Sequence, residues 1–360
     1  MGPFPHDATE AVITAENPAG TNGFAFVEFV HPNPQCLRDM FLKMGFAHTA
    51  THHAKMVELW QQGDITYVLN AAPNDAATHF MAEHGPSAPA MGWRVADAEH
   101  AYRHAVKNGA TPYDEIDKTI DAPAIVGIGG SLLYFIDHDF GDEFIWHQHD
   151  VITGAGFYYI DHLTHNVFQG NMDKWFAFYS TLFNFKEIRF FDIQGKYTGL
   201  YSRALTSPCG RIRIPINEDR GSEGQIVAYL KKYRGEGIQH IAVGAHDIYA
   251  ATDMIADHGI TFMPPPPQTY YQLSHDRIPG HREPIEDLMK HGILIDGEGV
   301  VDGDETKVLL QIFSKTMIGP IFFEFIQRKG DDGFGEGNFK ALFESIEAQQ
   351  LEDGELTVAG

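Results

Sequence analysis

Apolar positions along the chain switch between strand-like and helix-like spacing, and the same order of spacings recurs four times. Each unit opens with a short strand-like run, continues into an amphipathic helical stretch and ends in further strand-like runs. The first unit starts at Gly23 with GFAFVEFVHPNPQCLRDMFLKMGF and the second at Met91 with MGWRVADAEHAYRHAVKNGA. The third starts at Ile160 with IDHLTHNVFQGNMDKWFAFYSTLFNF, and the fourth at Gln239 with QHIAVGAHDIYAATDMIADHGITF. In the third, Trp175, Phe178, Tyr179, Leu182 and Phe183 fall at helical spacing, with Asn171 or Asp173 placed to cap the start. Asp97 and Asp247 stand where the second and fourth units turn from strand into helix. Four βαβββ modules paired two by two predict an α+β fold: two open half-barrel domains of mixed sheet with helices outside. The polar, glycine-bearing DVITGAG, Asp150 to Gly156, marks the boundary, dividing residues 1–153 from 154–360. MPPPPQ, Met263 to Gln268, predicts a rigid extended connection.

A length of 360 residues suits two domains. The 26 Lys+Arg against 49 Asp+Glu give a formal charge of −23, which argues against nucleic acid or an anionic membrane as partner. The 12% of aromatic residues supply core packing and could also wall a pocket for an aromatic ligand. Cys36 and Cys209 stand far apart and outside any CxxC pattern, so neither a disulfide framework nor a thiolate metal site is expected, and the cytoplasm is the natural compartment. The first residues carry no basic stretch followed by an apolar core, and nowhere do about 18 apolar residues run unbroken, so neither secretion nor a membrane span is expected.

The candidate chemistry starts from one carboxylate. In IGPIFFEFIQRKGDDGFGEGNF, Ile318 to Phe339, Glu324 sits amid Ile321, Phe322, Phe323, Phe325 and Ile326, a run that reads as buried sheet. A buried ionised carboxylate needs compensation worth several kcal/mol, so a cation is expected beside it. Arg328 or Lys329 could serve, although strand alternation points Glu324 and Lys329 to opposite faces. A metal is the sharper candidate, because His162 and His240 occupy the first strands of the third and fourth units. If those units pack as halves of one barrel, two imidazoles and a carboxylate converge inside it. This is the facial triad of non-haem Fe(II) oxygenases, though Zn²⁺ or Mn²⁺ would accept the same donors. His165, three residues from His162, faces away and reads as structural. The N-terminal half serves as a control: ungapped matching sets Gly92 opposite His240 and Phe135 opposite Glu324, so residues 1–153 lack the ligands and have a structural or oligomerisation role.

DHLTHNV, GEGIQH, LLQIF and FFEFIQRKGDDGFGEGNF, with EHGPSAPAMGWRV and VGIGGSLLYFID in the first half, resemble the 4-hydroxyphenylpyruvate dioxygenase family of the vicinal oxygen chelate (glyoxalase-like) fold group. The resemblance covers nearly the whole chain. It implies one Fe(II) per chain held by His162, His240 and Glu324. It implies a substrate pocket of Ser202, Asn217, Gln225, Gln239 and Gln311, with Phe334 and Phe339 as an aromatic clamp. Gln239 neighbours His240, so both face one interior only if the strand bulges or twists there. Glycines 333, 335 and 337 would hinge a C-terminal lid helix running through Leu342, Phe343 and Ile346. The implied reactants are 4-hydroxyphenylpyruvate, which carries its own α-keto acid, and O2. The implied product is homogentisate, within tyrosine catabolism, made by a homo-oligomer (dimer or tetramer). Hydroxymandelate synthase, which tends to carry a smaller residue where this chain has Phe339, is one alternative. An extradiol ring-cleaving dioxygenase is a second, and its additional acid-base histidine would come from the His275, His281 and His291 region. A barrel that only sequesters an aromatic ligand is a third.

Overall fold

The computed structural model describes residues 12–147, 150–194, 199–221, 224–300, 306–335 and 337–339. In the first half β1 (Thr21–Val30), α1 (Pro34–Lys43), β2 (Ala47–His52), β3 (Val57–Gln62) and β4 (Ile65–Asn70) form one unit. Then α2 (Ala76–His84) leads to β5 (Ser87–Val95), α3 (Ala98–Lys107), β6 (Ala124–Val126), β7 (Leu132–Ile136) and β8 (Phe144–Trp146). The second half repeats the plan with β9 (Phe157–Val167), α4 (Met172–Phe183), β10 (Lys186–Gln194), β11 (Gly199–Thr206), β12 (Arg213–Asp219) and α5 (Gln225–Tyr233). It continues through β13 (Gly237–Ala245), α6 (Ile248–Asp257), the short helices α7 (Gln268–Gln272), α8 (Ser274–Arg277) and α9 (Ile285–His291), and then β14 (Leu294–Val300), β15 (Thr306–Phe313) and β16 (Phe322–Lys329).

Helix starts follow local chemistry. Asp97 and Asp247 are N-caps whose carboxylates accept from the His100 amide and from those of Tyr249 and Ala250. Asn171 precedes α4, which buries Trp175, Tyr179, Leu182 and Phe183 as its spacing predicts. The strands form two eight-stranded sheets, ordered β6-β7-β5-β1-β4-β3-β2-β8 and β10-β11-β12-β9-β13-β16-β15-β14. In each, the first strands of the two units pair antiparallel at the centre, β1 with β5 and β9 with β13. Each of those strands also pairs parallel with a later strand of its own unit, β1 with β4, β5 with β7, β9 with β12 and β13 with β16. These are the two curled half-barrels of the vicinal oxygen chelate fold. The second unit has two strands after its helix on its own side of the sheet, and β8 crosses to extend the opposite edge beyond β2.

The main hydrophobic core joins the two halves: Phe29 and Tyr67 of the first sheet face Phe323 of the second, and Trp93 stacks on Phe185. A separate cluster fills the inside of the first half-barrel, with Phe26, Leu132, Tyr134, Ile136, Phe140 and Phe144. This corrects one match between the halves. Gly92 pairs with Tyr134 as His240 pairs with Phe322, so the residue equivalent to Glu324 is Ile136. Phe135 points the other way, into the shared core beside Phe183. The proposed C-terminal lid helix lies outside the described residues.

Candidate metal centre and pocket

The three candidate ligands come from adjacent strands of the second sheet, β9, β13 and β16. Ala242 pairs with His162 on one side and with Glu324 on the other, and His240 lies two residues along on the same face. Ala242 carries only a methyl group, which leaves the space between its neighbours open. Two bulges set the aim. Asp161 is an extra residue on β9 and Gln239 an extra residue on β13, since the pairing shifts at both places. The bulge lets Gln239 and His240 line the same pocket, against simple alternation.

His162 Nε2 lies 3.1 Å and His240 Nε2 3.3 Å from Glu324 Oε2, and the two Nε2 atoms are 3.3 Å apart. Metal–ligand bonds of about 2.0–2.2 Å separate neighbouring donors by about 3.0 Å at a right angle and about 3.4 Å at the tetrahedral angle, so one ion fits the three donors. The other ring nitrogens are occupied. His162 Nδ1 donates to Asp161 Oδ1 at 2.9 Å and His240 Nδ1 to Gln239 Oε1 at 3.1 Å, which leaves both Nε2 lone pairs facing the shared space. Burial raises the Glu324 carboxyl, but the two imidazoles outweigh it and bring the carboxyl down to about 2. Burial likewise drives Asp161 up, and the Arg328 guanidinium reverses this and holds it well below the usual carboxylate range.

Neither basic neighbour considered for Glu324 pairs with it. Arg328 forks onto Asp161, with Nε–Oδ2 at 2.7 Å and Nη2–Oδ1 at 2.8 Å, and Lys329 reaches Glu283. The direct donor to Glu324 is Gln311, whose Nε2 lies 2.8 Å from Oε1. His165 is buried outside the pocket with Nδ1 on the Leu163 carbonyl, and burial lowers it to about 4.

All ten candidate residues surround one pocket that encloses about 580 Å³ counted to its open mouth. His162, His240 and Glu324 form its floor, and Ser202, Asn217, Gln225, Gln239, Gln311, Phe334 and Phe339 are on its walls. Phe334 meets the His162 ring edge-on at 5.5 Å, and Phe339 meets Phe191 edge-on at 4.5 Å. The sequence reading missed Phe191, Phe313 and Pro215 on the wall and Asp161 beneath His162. Only the Asp-His pair in IDHLTHNV hinted at the last of these, because a carboxylate one residue from a ligand reaches its ring only across a bulge. His275 and His281 stack on each other, and neither they nor His291 line the pocket.

The fold and donor set define a class: a glyoxalase/dioxygenase-superfamily protein with a three-residue site fit for one metal ion. Residues 15–163 match the family profile described as "Hydroxyphenylpyruvate dioxygenase, HPPD, N-terminal", and residues 159–287 match "Glyoxalase/Bleomycin resistance protein/Dioxygenase superfamily". The chain is 48% identical to the 4-hydroxyphenylpyruvate dioxygenase of Pseudomonas sp. (strain P.J. 874), over 95% of this chain and 98% of that one. It is 49% identical to Hemolysin VllY of Vibrio vulnificus over 97% of this chain and 100% of the relative. Among solved structures, a mutant 4-hydroxymandelate synthase from Streptomyces coelicolor shares the fold, with a TM-score of 0.79, 23% identity and coverage of 92% of this chain and 99% of the other. The chain belongs to the 4-hydroxyphenylpyruvate dioxygenase family.

Proposed function

We infer that the chain is an iron(II)-dependent 4-hydroxyphenylpyruvate dioxygenase that converts its substrate and O2 to homogentisate and CO2 in tyrosine catabolism. The observation that carries this is the convergence of three donor atoms, 3.1 to 3.3 Å apart, on the floor of a pocket walled by aromatic rings and carboxamides. His162, His240 and Glu324 would hold the ion, which when bound supplies the activation of O2 and of the α-keto acid.

The chain's own residues bind and orient. Glu324 brings one negative charge, so a divalent ion there keeps a positive charge for an anionic keto acid. Gln239 and Asn217, linked at 3.3 Å, and Gln225 on the far wall offer carboxamides to a phenol hydroxyl. Phe334 and Phe339 present ring faces and edges to an aromatic substrate and keep water from the floor. The described pocket wall carries no further histidine beyond the two ligands, so an extradiol acid-base residue has no support there. Phe339 on the wall favours the dioxygenase over the benzylic hydroxylation of its sister activity. Two unpaired cysteines support the cytosol as its compartment. No helix among the described residues is long and apolar enough to cross a membrane. A dimer or tetramer goes with the same family reading, and sedimentation tests it.

The test is anaerobic loading with Fe(II), addition of 4-hydroxyphenylpyruvate and then air, with oxygen uptake recorded and the product identified by chromatography. Homogentisate is expected. Hydroxymandelate would move the chain to the sister activity, and no oxygen uptake would overturn the reading.

A further inference from the structure

Beneath the triad lies a buried network that metal ligation by itself does not require. Asp161 is fully enclosed. Its Oδ1 accepts from His162 Nδ1 at 2.9 Å and from Arg328 Nη2 at 2.8 Å, and its Oδ2 accepts from Arg328 Nε at 2.7 Å and from the Tyr159 hydroxyl at 2.8 Å. The third guanidinium nitrogen turns away from Asp161. Arg328 Nη1 donates to the Gly333 carbonyl at 2.5 Å and to the Asp331 carbonyl at 3.1 Å. One planar side chain therefore uses all three nitrogens to join the carboxylate that orients His162 to the backbone turn that carries Phe334.

The same turn is held from its other side. Gln311 Nε2 sits 2.8 Å from Glu324 Oε1 and 3.3 Å from the Phe334 carbonyl, and Asn338 donates to Gln311 Oε1 at 2.8 Å. Gly335 has a φ of +77°, and a Cβ there would come within 2.1 Å of the Gln311 amide oxygen, so the chain passes against the amide as only glycine allows. Phe334 is thus tied to two triad members through buried, charge-assisted or amide hydrogen bonds. Such bonds between fixed partners transmit displacement, and an arginine fork resists reorientation more than a lysine point charge does.

We propose that Arg328 is a positioning residue that couples the Asp331–Gly335 turn to His162, so that filling the metal site sets the Phe334 wall before substrate arrives. This rests on the metal-site reading above. The coupling is reciprocal: whatever fraction of metal affinity the ordered turn supplies, the metal returns as order in the turn. Arg328 does not line the pocket, so its effect on the reaction runs through Asp161 and through the turn.

The experiment is amide hydrogen exchange across residues 330–335 of the full chain, with and without saturating Fe(II), kept anaerobic and free of substrate. Metal binding is measured separately by titration of the apoprotein. In the wild type, Fe(II) is expected to slow exchange in this turn about tenfold or more. In Arg328→Lys, metal affinity is expected to fall about 10- to 100-fold, as for other partners of ligating histidines. At saturating metal, most of the slowing should nevertheless be lost. Tyr159→Phe removes one donor to Asp161 without changing charge, and guards against a misfolded lysine variant by showing a partial loss of the slowing. Equal metal-dependent slowing in the wild type and both variants would overturn the coupling. So would a wild type that binds Fe(II) with no change in the turn. A wild type that binds no Fe(II), or a His162→Ala variant that binds it as well, would instead overturn the metal-site reading beneath it.

Discussion

Each half-barrel buries a glutamate on its central strands, and the two are driven in opposite directions. In the first sheet Glu28 is enclosed by neutral partners, accepting from Thr119 Oγ1 at 2.6 Å and from Asn70 Nδ2 at 2.8 Å, and burial pushes its carboxyl up to about 7. In the second, Glu324 is just as deeply enclosed, but two imidazoles face it and its carboxyl falls to about 2. The interiors differ in the same sense. Where the second half-barrel has His240 facing open space, the first has Gly92, and a Cβ there would lie 2.4 Å from the ring of Phe26. Phe26 packs on Tyr134 and Phe140 and fills the volume that the other half keeps as a pocket. One set of strand pairings thus serves as packed scaffold or as chemical site, according to whether interior positions hold rings or donors.

The sharpest way to break this contrast is Glu324→Ala. Turnover should be abolished and Fe(II) affinity should drop by more than the roughly 100-fold seen for outer partners, measured by oxygen uptake and by metal titration. Retained turnover in this variant would remove the triad from the chemistry. Next, Phe26→Ala should cost about 3–5 kcal/mol in denaturant unfolding, because it hollows a filled interior. Phe334→Ala, beside space that is already open, should cost less than half of that and should raise KM instead.

Glu28→Gln comes third. The folded Glu28 holds its proton up to about 7, against an ordinary 4.5, so between those values the native state keeps a proton that the unfolded chain has released. Stability therefore falls as pH rises through that window, by on the order of 3 kcal/mol at about 1.4 kcal/mol per pH unit, and then stays flat. Glutamine should remove the slope and stabilise the protein at pH 8, because its amide oxygen can still accept from Asn70 and Thr119. Unfolding curves at pH 5 and 8 for both forms check this, and an unchanged slope would place the titration elsewhere. The smallest effect expected is that of Phe339→Ile, which should leave stability and metal binding alone and shift part of the product from homogentisate to hydroxymandelate.

Much of both half-barrels was legible residue by residue. Helical spacing marked α4, the aspartates at 97 and 247 marked two helix starts, and a lone carboxylate in an apolar run demanded a cation. The slip between Phe135 and Ile136 shows the limit of ungapped matching. Side chains alternate along a strand, so a one-residue error in register exchanges barrel interior for shared core. Arg328 stands in the sequence as an alternative to a metal beside Glu324, and it forks onto Asp161 instead, because sequence distance does not reveal which buried carboxylate a fork will meet.

The sequence by itself determined the repeated units and their pairing into two half-barrels, and it singled out three donors suited to one cation. Local spacing and residue chemistry suffice for those, because periodicity and burial cost are properties of short segments. Only the tertiary structure decided which side chains share a face across strands. The bulges at Asp161 and Gln239 each add one residue to a strand, turning Gln239 toward the pocket beside His240 and bringing Asp161 under His162. A bulge is a relation between two strands, and no single segment encodes it.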